Sequence, residues 1–311
     1  MKLLRRFLVP LDGSLMAEAA LPVAFGLARP LGATVTLLYV RETAAPRTVH
    51  GQRHLQTAAE AEAYLSEVTD RWRGAGVSTA WHVHPNPEGD VARSLVEHAS
   101  ELAGDVLVMT THGSGGLRDL LFGSIAQQVL RRGSTPTLIV RPPAGETELV
   151  YTWRSILVPE SGGHDGERAR AYASEIAGAT GATLNLLTVV PTVSTVTGDQ
   201  AASATFSPTA VRAVLEAESE EASRALEGEA RVLRDRGIAV TTLVVRGAPV
   251  EQIIATVGAE KPDLVVLTTH GQSGIGGTLS GSKAARLIAE IRQPTLLIRV
   301  ERDLSGRETA E

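Results

Sequence analysis

The chain contains no cysteine, which excludes disulfides, thiolate metal sites and a cysteine nucleophile. Lysine is nearly missing: of 30 basic residues only Lys2, Lys261 and Lys283 are lysine, and the rest are arginine. Aromatic residues make up 4%. No apolar run approaches the roughly 18 residues needed to cross a bilayer. The basic start Met1–Arg6 is not followed by a signal-peptide core and cleavage site. The expectation is a cytoplasmic protein with no membrane partner. A net charge of −5 and a pI near 6.0 lack the basic excess of a general nucleic-acid binder. The P-loop pattern G-x4-G-K-[S/T] does not occur either.

What is present is an ordinary globular composition, 43% hydrophobic and 21% charged. The 311 residues suffice for two domains. The strongest signal is a glycine pattern that occurs twice. Residues 110–124 read T-T-H-G, nine further residues, then G-S; residues 268–282 repeat that spacing. Each copy follows an apolar run, Val106–Met109 or Leu264–Leu267, and leads into a helical pattern, Ile125–Arg132 or Lys283–Ile291. Strand, glycine-rich loop and helix N-terminus together form a phosphate cradle.

The repeat extends beyond the loop. Phe7-Leu8-Val9-Pro10 matches Ile156-Leu157-Val158-Pro159, and Gly32–Val40 matches Gly181–Val189 in the same register. The second copy then gains about nine residues, placed within Pro191–Pro208, a stretch rich in Thr, Ser and Ala that reads as a mobile loop. In each half strands and helices alternate. The first half reads strand 6–11, helix 17–29, strand 34–40, helix 55–75, strand 78–83, helix 90–103, then the loop unit and a last strand, 137–141. The second half reads strand 155–160, helix 167–180, strand 183–189, helix 210–236, strand 239–245, helix 249–260, the loop unit and a last strand, 295–300. This alternation predicts an α/β fold of two tandem doubly wound domains. Each is a five-stranded parallel sheet flanked by helices, spanning residues 1–144 and 145–311. The linker is Arg141–Arg154 and the tail is Asp303–Glu311. The glutamate-rich face of Glu216–Glu229 reads as solvated.

In open α/β sheets ligands bind at the carboxyl ends of the strands. Here those ends carry Leu11-Asp12-Gly13-Ser14, Val40, Gly89-Asp90 and the glycine loop. Asp12 either accepts from ribose hydroxyls or caps a helix. Ser124 and Ser282 sit at helix starts, as caps or phosphate ligands. His112 and His270 recur in one position, and the reading favoured is that they shape the glycine turn rather than transfer protons. Asp90 and Asp119 could serve a catalytic metal or base, but neither recurs: Ala248 and Gly277 hold their places.

On these residues both halves resemble the universal stress protein family, and the chain resembles a tandem member of it over roughly 5–141 and 154–300. The motif G-x2-G-x9-G-[S/T] is carried by Gly113, Gly123 and Ser124, and again by Gly271, Gly281 and Ser282. The opening V-P-x-D-G-S is carried by Val9–Ser14. The resemblance implies an adenine nucleotide, ATP with Mg foremost, with AMP and cyclic nucleotides open. In the first half it implies a site of Pro10, Leu11, Asp12, Val40, Met109, Thr110, His112, Gly113, Gly123, Ser124 and Ile125. In the second it implies Pro159, Ser161, Val189, Leu267, Thr268, His270, Gly271, Gly281, Ser282 and Lys283. It also implies pairing through last strands, as an intramolecular pseudo-dimer or a homodimer, and a stress-response or signalling role without robust catalysis. Two departures weaken the match: Thr110 and Thr268 replace the first glycine, and Ser161 replaces the opening aspartate. The first half is therefore expected to be the better site, although Lys283 supplies a cation in the second.

Ser161–Gly166 also resembles the S-G-G-x-D-S loop of ATP pyrophosphatases, with Gly166 in place of the last serine. That supports an ATP-hydrolysing or adenylating enzyme as a minor alternative. A nucleotide-free scaffold of the same fold is the other.

Overall fold

The computed structural model describes residues 2–43, 48–49, 52–111, 124–142, 151–160, 163–196, 207–270 and 281–300. The chain divides into two compact units, Met1–Thr152 with Pro294–Arg299, and Trp153–Gln293 with Val300–Glu311.

The first unit runs β1 (Arg6–Pro10), α1 (Leu15–Glu18), α2 (Leu21–Leu31), β2 (Thr34–Tyr39) and the short hairpin β3 (Thr48–Val49) and β4 (Gln52–Arg53). It continues with α3 (Ala58–Arg71), β5 (Thr79–Val83), α4 (Val91–Glu101), β6 (Val106–Thr110), α5 (Ser124–Arg132) and β7 (Thr137–Val140). Its parallel strands lie in the order β5-β2-β1-β6-β7. The chain's last strand is part of this unit and runs antiparallel to β7, Leu296 opposite Leu138. The second unit contains β8 (Ser155–Pro159), α6 (Gly163–Thr180), β9 (Thr183–Val190), α7 (Pro208–Asp235), β10 (Val240–Arg246), α8 (Pro249–Glu260), β11 (Leu264–His270) and α9 (Gly281–Glu290). Its parallel order is β10-β9-β8-β11. The last strand of the chain is β12 (Thr295–Val300). Among the described residues no helix is long and apolar enough to cross a membrane.

Central strands are buried on both faces, as helix-covered parallel strands must be. Phe7, Leu8, Val9, Val106, Leu107 and Val108 are all 0–1% exposed. The repeat is reproduced in a local device. Asp105 Oδ2 accepts from the amides of Arg5 and Arg6 at 2.8 and 2.9 Å. Asp263 Oδ2 accepts from those of Arg154 and Ser155 at 2.7 and 3.0 Å. Each carboxylate ties the start of its unit's first strand to the segment before the fourth, satisfying amides beyond the ladder.

Beyond shifts of a few residues at element ends, the structure departs from expectation at several places. The helix read over 17–29 is two helices, because Pro22 stands in the first turn of α2 and cannot continue the ladder from α1. The helix read from Leu55 starts at Ala58, where Thr57 and Glu60 form a capping box. That frees the Leu55 carbonyl for side chains of the site. The helix read from Glu167 starts at Gly163. The stretch 191–196, read as part of a mobile loop, forms a turn in which the Thr192 amide donates to Thr195 Oγ1 at 2.8 Å. Val196 then packs on Val211 and Leu215 of α7. Residues 197–206, the linker residues 143–150 and the tail from 301 lie outside the described residues.

Candidate functional site

A cavity of about 250 Å³ opens at the carboxyl ends of β1, β2 and β6. A water molecule takes about 30 Å³, so this space suits a nucleoside-sized group rather than an ion. Pro10, Leu11 and Asp12 enter from the end of β1, Leu38, Tyr39 and Val40 from β2, and Met109 and Thr110 from β6. Ile125 and Ala126 close it from the first turn of α5, and Val91 and Leu95 from α4. Seven of the residues expected in the first half thus meet in one cavity: Pro10, Leu11, Asp12, Val40, Met109, Thr110 and Ile125. Ser124 begins α5, but its side chain, with His112, Gly113, Gly123 and Asp119, lies outside the described residues.

The polar geometry centres on Asp12. Its Oδ1 accepts from the Ser14 amide at 2.9 Å and from Ser14 Oγ at 2.6 Å. Ser14 in turn caps α1, accepting from the Ala17 amide at 3.1 Å. The cap is therefore Ser14 and not Asp12. Between them Gly13 has φ +86°, and a Cβ there would stand 3.1 Å from Leu55 Cγ. Glycine is required on both counts.

Three polar or charged side chains of the site were not singled out by the repeat. Tyr39, 1% exposed, donates to the Leu55 carbonyl at 3.1 Å. Burial, and then the nearby Asp12, pushes its hydroxyl above the ordinary tyrosine range. His54 is 2% exposed, and its Nδ1 lies 2.9 Å from the same carbonyl, which puts a proton on Nδ1. Its Nε2 stands 3.9 Å from Glu42 Oε1. Glu42 and His54 line the cavity. Both come from the variable stretch after β2, where no repeat signal could single them out. Asp90, a possible catalytic group, is committed elsewhere: it caps α4 through the Arg93 amide at 3.1 Å and pairs with Arg132 at 2.5 Å.

In both units threonine stands where the family motif has its first glycine. Thr110 ends β6 opposite Val140, and Thr268 lies inside β11. The β-branched residue extends the strand where a glycine would permit a turn.

The expected residues of the second unit lie on separate elements. Pro159 ends β8 and is buried, Val189 lies in β9, Leu267 and Thr268 are buried in β11, and Lys283 is exposed on α9. Ser161, Gly271 and the side chains of His270 and Ser282 lie outside the described residues, while Gly281 opens α9. In the place of Leu11 stands Glu160. Its carboxylate is 4% exposed and pairs with Arg170 Nη1 at 2.5 Å. Arg170 also reaches Glu229 at 3.4 Å. Burial pushes the Glu160 carboxyl up from 4.5 to about 7, against the attraction of Arg170. A Cβ on Gly166 would lie 2.5 Å from Glu160 Oε2. The serine that completes a pyrophosphatase-type loop at this position would collide with that carboxylate.

Comparison with known proteins agrees with this architecture. The family model described as the Universal stress protein family matches residues 4–141 and again 152–299. Universal stress protein MJ0531 of Methanocaldococcus jannaschii is 28% identical over 152 residues, 46% of this chain and 86% of that protein. Universal stress protein YxiE of Bacillus subtilis is 28% identical over 148 residues, 44% of this chain and 98% of its own length. The crystal structure of a universal stress protein from Archaeoglobus fulgidus superposes with a TM-score of 0.68 at 19% identity. It covers 94% of this chain and 98% of its own, a likeness of fold. With the family matched twice along its length, this chain belongs to the universal stress protein family as a tandem form.

Proposed function

We propose that the first half binds an adenine nucleotide, ATP foremost, and that the protein acts in stress response or signalling without robust turnover, in the cytoplasm. The observation that carries this reading is the convergence of Asp12, Val40, Met109, Thr110 and Ile125, from four separate elements, on one nucleoside-sized cavity. Apolar walls from Val40, Leu38 and Met109 suit an adenine face. Asp12 suits ribose hydroxyls. The first amides of α5, with Gly113, Gly123 and Ser124, suit the phosphates, since a helix N-terminus attracts anions. Magnesium would then ride on the phosphates. The cap and ion pair that occupy Asp90 favour binding over hydrolysis, because they leave that carboxylate engaged rather than poised as a base.

The second half is proposed as the weaker site. Glu160 places a buried carboxylate beside the position that faces the ligand in the first half, and Ser161 brings no charge to ribose. The test is calorimetric titration of nucleotide-stripped protein with Mg-ATP, AMP and cyclic AMP. One ATP site per chain is expected, weakened about 10- to 100-fold in Asp12→Ala with an unchanged far-UV spectrum. Two equal sites would overturn the ranking of the halves. No nucleotide binding would leave the scaffold reading.

A further inference from the structure

Away from the cavity, at the free edge of the first unit's sheet, three histidines meet. His82 lies on β5, His84 follows its last residue, and His98 faces them from α4. One ring nitrogen from each lies within 4.8 Å of the others. His84 Nδ1 is 3.0 Å from His98 Nε2. His98 is 5% exposed, and the His82 and His84 rings are partly buried. We propose that His82, His84 and His98 bind a divalent first-row transition metal, Zn²⁺ foremost.

The outer partners of the rings argue for this. His98 Nδ1 lies 2.8 Å from the Ser94 carbonyl, one helical turn back on α4. A carbonyl only accepts, so Nδ1 carries the proton and Nε2 presents a lone pair to the other two rings. His84 Nε2 lies 3.0 Å from Glu88 Oε1. The carboxylate accepts from the Nε2–H, which leaves Nδ1 as the inward-facing nitrogen. Carbonyl and carboxylate partners of this kind fix the tautomer of metal-bound histidines. With their protons turned outward, His84 Nδ1 and His98 Nε2 face each other 3.0 Å apart as two lone pairs, an approach that a cation between them would relieve.

Three imidazoles suit Zn²⁺, Co²⁺, Ni²⁺ or Cu²⁺ and not the oxygen-seeking Ca²⁺ or Mg²⁺. Tetrahedral zinc bonds of about 2.0–2.1 Å set ligand nitrogens about 3.3 Å apart, so the 3.0 Å pair opens slightly and the His82 nitrogen settles within its present 4.8 Å limit. The fourth position falls to water or to Glu101, whose carboxylate stands 4.0 Å from His98 Nε2 and is well exposed.

The fold itself does not need these histidines. In the sheet register His82 stands opposite Leu38, and its counterpart Leu243 stands opposite Leu187. In the second half Leu243, Val245 and Thr256 hold the three positions. The same architecture closes this corner with two apolar residues and a threonine, so the triad belongs to the first half alone.

The experiment is a Zn²⁺ titration of the untagged full chain, by calorimetry and by competition with a chromophoric chelator. Co²⁺ serves as a spectroscopic probe of coordination. The expected result is one Zn²⁺ per chain at micromolar or lower Kd, with Co²⁺ giving visible bands that Zn²⁺ abolishes. The triple variant His82→Leu, His84→Val, His98→Thr should lose the site and keep its far-UV spectrum, since those residues already serve in the second half. Glu88→Gln keeps all three ligands and should weaken Zn²⁺ by about 10- to 100-fold. Zinc binding only at millimolar concentration, or equal binding by wild type and the triple variant, would overturn the proposal.

Discussion

Glu160 makes the stability of the second unit fall as pH rises. Its carboxylate is 4% exposed, Arg170 supplies one partner at 2.5 Å, and Oε1 is buried with no hydrogen bond among the described residues. Losing water costs the charged form more than Arg170 returns, and the carboxyl titrates at about 7 in place of 4.5. Between those two values the folded chain holds a proton that the unfolded chain has released. Unfolding free energy therefore declines as pH climbs through that window, and the decline is complete above pH 7. At 1.36 kcal/mol per pKa unit the loss is about 3 kcal/mol. The perturbation is Glu160→Gln, which keeps the shape and removes the titration. Its absolute stability is not the readout, because Arg170 is left with only Glu229. The readout is the difference between wild type and variant in urea unfolding, followed by the fluorescence of Trp153 in a Trp72→Phe, Trp81→Phe background, at intervals from pH 4.5 to 8. Wild type should lose about 3 kcal/mol relative to the variant across the series. A flat difference would mean that the carboxyl is not shifted. A difference of opposite sign would mean that the Arg170 pair dominates and the folded pKa lies below 4.5.

Other outcomes follow from single contacts. Asp12→Ala should weaken nucleotide binding by about 10- to 100-fold, the worth of a charged hydrogen bond, as read by calorimetry. Thr57→Ala removes the capping box of α3 and should cost about 1 kcal/mol in the unfolding of the first unit. Gly104→Ala would drive a Cβ into the side chain of Leu8, which is 1% exposed. An overpacking cost of about 1–3 kcal/mol is expected in denaturant melts. Gly166→Ala should separate Glu160 from Arg170, since its Cβ would lie 2.5 Å from one and 3.2 Å from the other. Its unfolding midpoint should fall while that of Gly178→Ala, an open position, does not.

Alternation of apolar strands with amphipathic helices, written twice, was enough to read the α/β class and the tandem form. The reason is local: strands covered on both faces must be apolar throughout, and Val106–Met109 and Leu264–Leu267 could be little else. The spacing of the glycine motif likewise marked the end of β6 and the start of α5 to within one residue, whereas β11 runs three residues past Leu267 and α9 starts two residues before Lys283. Capping chemistry was also in the sequence, but propensity drew α3 from Leu55 and missed Thr57 and Glu60. The proline that splits α1 from α2 was equally visible and equally overlooked.

The sequence by itself determined the repeat, the order of elements and the residues at the strand ends, because each follows from periodicity and spacing within a short window. Only the tertiary structure decided what those ends meet. It brought His54 and Glu42 from an unrepeated stretch to the cavity wall, and set His98 of α4 against His82 and His84 at the end of the preceding strand. It also sealed Glu160 from water where the first half has a leucine. Burial, a partner's distance and a shifted pKa are properties of three-dimensional neighbours, and no window along the chain contains them.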